Sequence, residues 1–238
     1  MRKMIRADLR RVLGKPSFYI INVLTLIAFT FFTKGQTASE MVASVKEYIH
    51  GIVLFSAGIT AFMGIYSDEI KSGFVINLIG SGYSRRKVII AKLIDAAILI
   101  SSVFSVAYII CLIKNMTAGL GISPKQNLFL LIYFLYCLIL GIGFFALASL
   151  VVFVFWSASF GMIILLFEIV LSKIILNAIQ EKFTIPIFDI SFEGLLNSSY
   201  AAFSAGNFGW QIIPAVLIYI CGIVFLAVVL FKRRELYL

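Results

Sequence analysis

The sequence predicts an all-α, polytopic membrane protein. Six transmembrane helices follow an N-terminal interfacial amphipathic helix, all in one transmembrane domain spanning residues 1–238. Three observations carry this. Hydrophobic residues make up 62% of the chain and charged residues only 13%, against roughly half and a quarter in soluble domains. The apolar residues fall in runs long enough to cross a bilayer core, which takes about 20 residues of helix. Basic residues cluster between alternate runs, as expected when one set of loops stays on the cytoplasmic side.

Residues 1–15, MRKMIRADLRRVLGK, carry six basic residues, with Met4, Ile5, Leu9, Val12 and Leu13 at helical spacing. That is the pattern of a helix lying in the membrane interface. Gly14 and Pro16 punctuate it. The expected spans lie at about 17–33, 49–66, 88–113, 128–154, 158–179 and 211–231. The first exceeds the roughly 7–15-residue apolar core of a signal peptide and has no small-x-small cleavage site after it, so it is expected to be retained. Residues 128–179 are almost uninterrupted. As one helix they would be about 78 Å long against a core of about 30 Å, so a turn near Trp156–Ser159 is expected to divide them. The 180–210 stretch falls on the extracellular side. It is too rich in Phe, Ile and small residues for a solvated loop and suggests short re-entrant helices, which are tolerated only where buried in protein or lining a cavity.

The formal net charge is +9. With the N-terminus inside, segments 1–15, 67–92 and 232–238 hold 14 basic residues, and Lys34, Lys46, Lys114, Lys125 and Lys182 are the five outside. Both termini are therefore expected in the cytoplasm, the C-terminal Lys232-Arg233-Arg234 cluster included. Topology and anionic lipid account for the positive charge, and no nucleic-acid partner is expected. No GxxxxGK[ST] loop occurs, so ATP and Mg are not expected to bind this chain. Cys111, Cys137 and Cys221 lie in apolar runs at no metal-ligand spacing and read as small buried residues without a disulfide framework. His50 alone cannot make a metal site, and reads as a boundary residue at the start of span two.

Residues 67–87, SDEIKSGFVINLIGSGYSRRK, interrupt this apolar chain with Asp68, Glu69, Lys71, Arg85, Arg86 and Lys87 and with three glycines. Ser67 is a candidate helix cap, with Asp68 and Glu69 in a first turn that favours acids. Ile70, Phe74 and Leu78 follow at i, i+4 and i+8 and form an apolar stripe that Val75 and Ile79 widen. Gly80-Ser81-Gly82 is expected to end the helix, and Ser84 to cap the next. A short helix with an apolar stripe and flanking charges suits docking on a cytoplasmic partner, or equally resting on lipid.

The run DEIKSGFVINLIGSGYSRRKVIIAKLI resembles the cytoplasmic segment of ABC-2 type ABC transporter permeases. In that family a DE-x-K-S-G-x3-N-L run, a small-residue turn and an SRRK-x-I-x2-K-L-I start of the third span recur. The resemblance extends to the layout of N-terminal helix, six spans and cytoplasmic termini. It implies a bacterial plasma-membrane protein and a coupling helix seated on a separate ATPase subunit. Asp68, Glu69, Lys71, Ser72, Gly73, Phe74, Asn77, Leu78, Arg85 and Arg86 are the coupling positions it points to. It further implies two ATPase chains, which would carry ATP and Mg, with a second copy of this chain or a sister permease beside it.

Glu168 falls near the middle of span five, where an ionised carboxylate costs about 2.5–3.5 kcal/mol to insert, so it is expected to face protein or a wet cavity. Lys173 follows at i+5, about 140° round the helix, so a direct pair is not expected. Both are candidate translocation-pathway residues. Asp95 is expected to pair with Lys92 one turn earlier. Gly141, Gly143, Ala146, Ala148 and Ser149 offer a small-residue face for close packing.

The function expected on these grounds is a permease subunit exporting a hydrophobic or amphipathic substrate, most simply a peptide such as a bacteriocin or toxin, with drug or lipid export open. The alternative is a non-transporting sensor or assembly partner of an ATPase. An intramembrane enzyme would need clustered acids and histidine, which the spans lack.

Overall fold

A computed structural model describes residues 1–119, 121–183, 186–206 and 212–233, except the side chains of residues 212, 213, 215, 232 and 233. The described residues are all helical or connecting, with no strand. In chain order the helices are α1 (Arg2–Leu13), α2 (Pro16–Phe32), α3 (Ala38–Lys71), α4 (Phe74–Gly80), α5 (Arg85–Ala118) and α6 (Pro124–Phe155). They continue as α7 (Ala158–Val170), α8 (Ser172–Phe183), α9 (Ile187–Ile190), α10 (Phe192–Ser204) and α11 (Ile212–Arg233). The Lys232-Arg233-Arg234 side chains lie outside the described residues, as do 184–185 and 207–210 of the connection before α11.

Among the described residues three helices are long and apolar enough to cross a membrane: α3, α5 and α6. Two bent pairs raise that to five if each counts as one span: α1 with α2, bent by 67°, and α7 with α8, bent by 62°. Val216–Phe231 of α11 is a shorter apolar helix. The straight span expected over 158–179 is therefore broken. Leu171 separates α7 from α8, and the Ser172 hydroxyl bonds back to the Glu168 carbonyl across the bend at 2.5 Å.

Helix α3 is one 34-residue element, starting at Thr37, whose hydroxyl accepts from the Glu40 N–H. It contains two π turns, Ile49–Val53 and Met63–Ser67. The expected helix start at Ser67 is not there: Ser67 is helical and caps nothing, because α3 runs straight through it. The break falls instead at Gly73, whose φ of +66° suits a residue without a Cβ. At the far end of α4, Tyr83 N–H bonds to the Leu78 carbonyl and Gly82 N–H to that of Ile79, the glycine ending expected there. Ser84 caps α5 through the Lys87 N–H at 3.4 Å.

Between α6 and α7 the turn is Trp156-Ser157. Trp156 has a φ of +56°, strained for a tryptophan. Its ring stacks on Phe231 at 5.9 Å, and Ser157 caps α7. One end of the bundle thus gathers α1, α4, the start of α5, the α6–α7 turn and the end of α11. At the other end Lys114 of α5 donates to the carbonyls of Thr30 and Thr33 and to the Thr33 hydroxyl, closing the C-terminus of α2.

The small-residue face of α6 packs inside the subunit. Leu54 and Ile100 crowd Gly141, and the Phe192 ring of α10 occupies the space where a side chain at 143 would be. Cys111 and Cys137 are buried as expected, whereas Cys221 is exposed on α11. In α1, Met4, Asp8 and Val12 face inward, so part of the face expected to meet the interface packs on protein. Gly143→Val is expected to displace Phe192 and destabilise the fold by about 1–3 kcal/mol. Gly222→Ala, with open space around it, should leave detergent-phase thermal unfolding nearly unchanged.

Candidate functional site

The segment expected to carry function sits on a buried cluster of charges where α1, α3 and α5 meet. The π turn at Met63–Ser67 redirects carbonyls that an ordinary helix would bond internally. Arg11 of α1 donates to two of these carbonyls, Gly64 at 3.4 Å and Ile65 at 3.3 Å. Gly64 makes the approach possible: a Cβ there would lie 2.6 Å from a methyl of Val12. Glu69, in the last turn of α3, is fully buried. Its Oε1 accepts from Lys92 Nζ at 2.5 Å and pairs with Arg11 at 2.6 Å. Lys92, buried in α5, also donates to Asp8 of α1 at 2.6 Å. One ammonium therefore ties the N-terminal helix and the end of α3 to α5.

The expected Lys92–Asp95 pair is not formed. Lys92 is directed at Asp8 and Glu69, on the neighbouring helices, and Asp95 is buried with neither carboxylate oxygen bonded. Asp8, Arg11 and Lys92 were not among the candidates read from sequence. The available signal was an acid, Asp8, on the inward stripe Met4-Asp8-Val12 of an otherwise basic helix.

Above this cluster lies a surface. Asp68 pairs with Lys15 at 2.5 Å on the outside, and that bond holds the Asp68 carboxyl below its usual range. Asp68, Lys71, Ser72, Phe74, Asn77 and Arg86 are exposed. Val75 is buried, and Ile70, Leu78 and Ile79 pack against the core, so the stripe expected to face a partner is mostly turned inward. Phe74 is its exposed member. Arg85 donates to the Phe231 carbonyl and lies 5.2 Å over that ring, so it braces α5 against α11. Glu69 is the coupling candidate with no surface of its own.

Glu168 lines a cavity of about 460 Å³ between α6 and the α7–α10 turn-back, with Tyr219 of α11 also in its wall. The second acid in it is Glu193, on α10, in the stretch expected to form short re-entrant helices but not singled out there as a site residue. Its carboxylate accepts from Ser172 at 3.3 Å and sits 3.7 Å from His50 in the first π turn of α3. Lys173 is exposed and not among the cavity's lining residues. Among the described residues no group of three or more His, Cys, Asp or Glu could hold a metal ion.

No protein-family model matches this chain, and no curated protein does either.

Removing a partner from a buried pair is far costlier than removing an exposed one. Lys92→Met is expected to lose about 3–5 kcal/mol of stability, and Lys15→Ala about 0–1, read by chemical unfolding in detergent. The Lys15–Asp68 contribution is present above the normal carboxylate range and is lost on acidification through it, because the folded form holds the carboxyl low.

Proposed function

We propose that this chain is the permease subunit of an ABC-2 type exporter, with six spans, both termini cytoplasmic and α1 at the membrane interface of a bacterial cell. The observation that carries it is the surface around α4, a short helix between two long apolar ones: Asp68 and Lys71 of α3, Ser72 just after it, Phe74 and Asn77 of α4 and Arg86 of α5 are exposed there, over a base fixed by buried ion pairs. A partner ATPase, two copies per assembly, would seat on that surface and supply ATP and Mg. The chain itself is a transport subunit and not an enzyme, and pairs with a second copy or a sister permease. Six spans are reached when α2, α3, α5, α6, the bent pair α7–α8 and α11 each cross once, and α9–α10 then dips back from the outer face.

The gathering of α1, α4, the Trp156 turn and the end of α11 at one end supports this alternation. The cavity with Glu168 and Glu193 supports a cargo that is amphipathic and cationic, of which a peptide is the simplest case.

Mild-detergent capture of the chain from its native cells, with mass spectrometry of the co-purifying proteins, tests the reading. A P-loop ATPase is expected, reduced at least tenfold by the double variant Phe74→Ala with Asn77→Ala at unchanged thermal stability. Recovery of the chain without an ATPase across several detergents would overturn it. Glu168→Gln is expected to lower ATP-driven export from vesicles while leaving ATPase capture intact.

A further inference from the structure

The buried cluster beneath α1 has one carboxyl group more than its cations can serve. Asp8 and Arg11 reach it from α1, Glu69 from α3, and Lys92 and Asp95 from α5. Tyr66 of α3 borders it, beside Ser149 of α6. Asp8, Glu69, Lys92 and Asp95 are each at most 2% exposed. Both cations are engaged elsewhere: Lys92 with Asp8 and Glu69, and Arg11 with Glu69 and the Gly64 and Ile65 carbonyls.

Asp95 has no donor at either oxygen. Its neighbour in the cluster is the Asp8 carboxyl group, itself held by Lys92, so an acceptor meets an acceptor. Two carboxylates so placed repel, and an unpaired buried charge is neutralised rather than kept.

We propose that this cluster is a proton-binding site, with one proton on Asp95 donated in a hydrogen bond to Asp8. The proton comes from solvent, forms an O–H bond on Asp95 and leaves Asp8 and Glu69 ionised. Two carboxylates then face two cations, and the group is neutral. The bond adds a second tie between α1 and α5, beside the Lys92 ion pair and one helical turn away from it. Loss of the proton converts that tie into a repulsion at the foot of α3, from which only Ser72 and Gly73 lead to α4. The site is independent of any partner docked on α4 and of any cargo.

Infrared difference spectroscopy tests it, on the full chain in lipid nanodiscs at neutral pH. A protonated carboxyl has a C=O stretch separate from the carboxylate and amide bands. Wild type minus Asp95→Asn is expected to show one such band, sensitive to exchange into heavy water. Bands from Glu168 or Glu193 cancel in that difference.

Asp8→Asn is expected to lose the same band although Asp95 is intact, because two acids then face two cations and the asparagine amide donates to an ionised Asp95. Asparagine copies the neutral acid in shape, so Asp95→Asn is expected to melt no lower than wild type. A wild-type spectrum identical to that of Asp95→Asn in this region would overturn the proposal. So would a band kept at full strength in Asp8→Asn, which also decides the matter if Asp95→Asn fails to fold.

Discussion

The ammonium of Lys92 is the point on which this end of the molecule depends. It is wholly buried in α5 and within 2.6 Å of an acid on each of two other helices. A charge in such a place is stable only while paired, because desolvation costs several kcal/mol per ion and attraction repays it only in good geometry. The pairing sets where α1 lies: Asp8 must reach Lys92, which brings Val12 onto Gly64 and Arg11 onto the carbonyls of the π turn. The π turn is in turn compatible with a buried α3 because Arg11 satisfies those carbonyls. Remove the ammonium, and Asp8 loses its short ion pair while Glu69 is left with Arg11 alone.

The opposite end is built on different physics. There the polar groups are satisfied one at a time. Lys114 closes α2, and Lys46 lies over the rings of Tyr133 and Tyr200 at 5.5 and 4.9 Å. The Ser123–Gln126 capping box opens α6. The α7–α8 bend and the packed α10 leave room for the acid-lined cavity between them. A bundle cross-linked by charge at one end and held by separate caps and ring contacts at the other should open more readily at the second. Breaking a cap or a ring contact costs roughly 1 kcal/mol, and breaking a buried pair several times that.

Much of this was legible in the sequence. The apolar runs marked the helices, Ser84 and Gly82 marked two ends of the 67–87 segment, and the length of 128–179 required the Trp156 turn. The features that stayed hidden depended on contacts between helices. Ser67 looks like a cap because local pattern cannot tell that α3 has enough tertiary support to pass through it. Glu69 looks like a surface acid, and Asp95 like a partner of Lys92, because i, i+3 spacing is visible in sequence and a cross-helix partner is not. Glu193 was hidden because the 180–210 stretch, though it suggested short re-entrant helices, gave no sign of which of its side chains would meet Glu168 and His50. Leu171 gives no sign of the bend, since neither proline nor glycine marks it.

The placement of α4 gives the buried cluster its mechanical meaning. This seven-residue helix is pinned at both ends, by the left-handed Gly73 and by the Gly82 turn, and by Val75 buried beneath it. It has too few residues to hold shape alone, since isolated helices below about 12 residues are marginal. Its shape is therefore borrowed from α3 and α5, and a push on Phe74 or Asn77 displaces those helix ends rather than bending α4. Both ends converge on Lys92, directly through α5 and through Glu69 of α3. Any force applied to the exposed face of α4 must therefore strain the same ion pairs that hold α1. Surface and cluster form one mechanical unit, and the buried charges that hold α1 in place are what make that unit stiff.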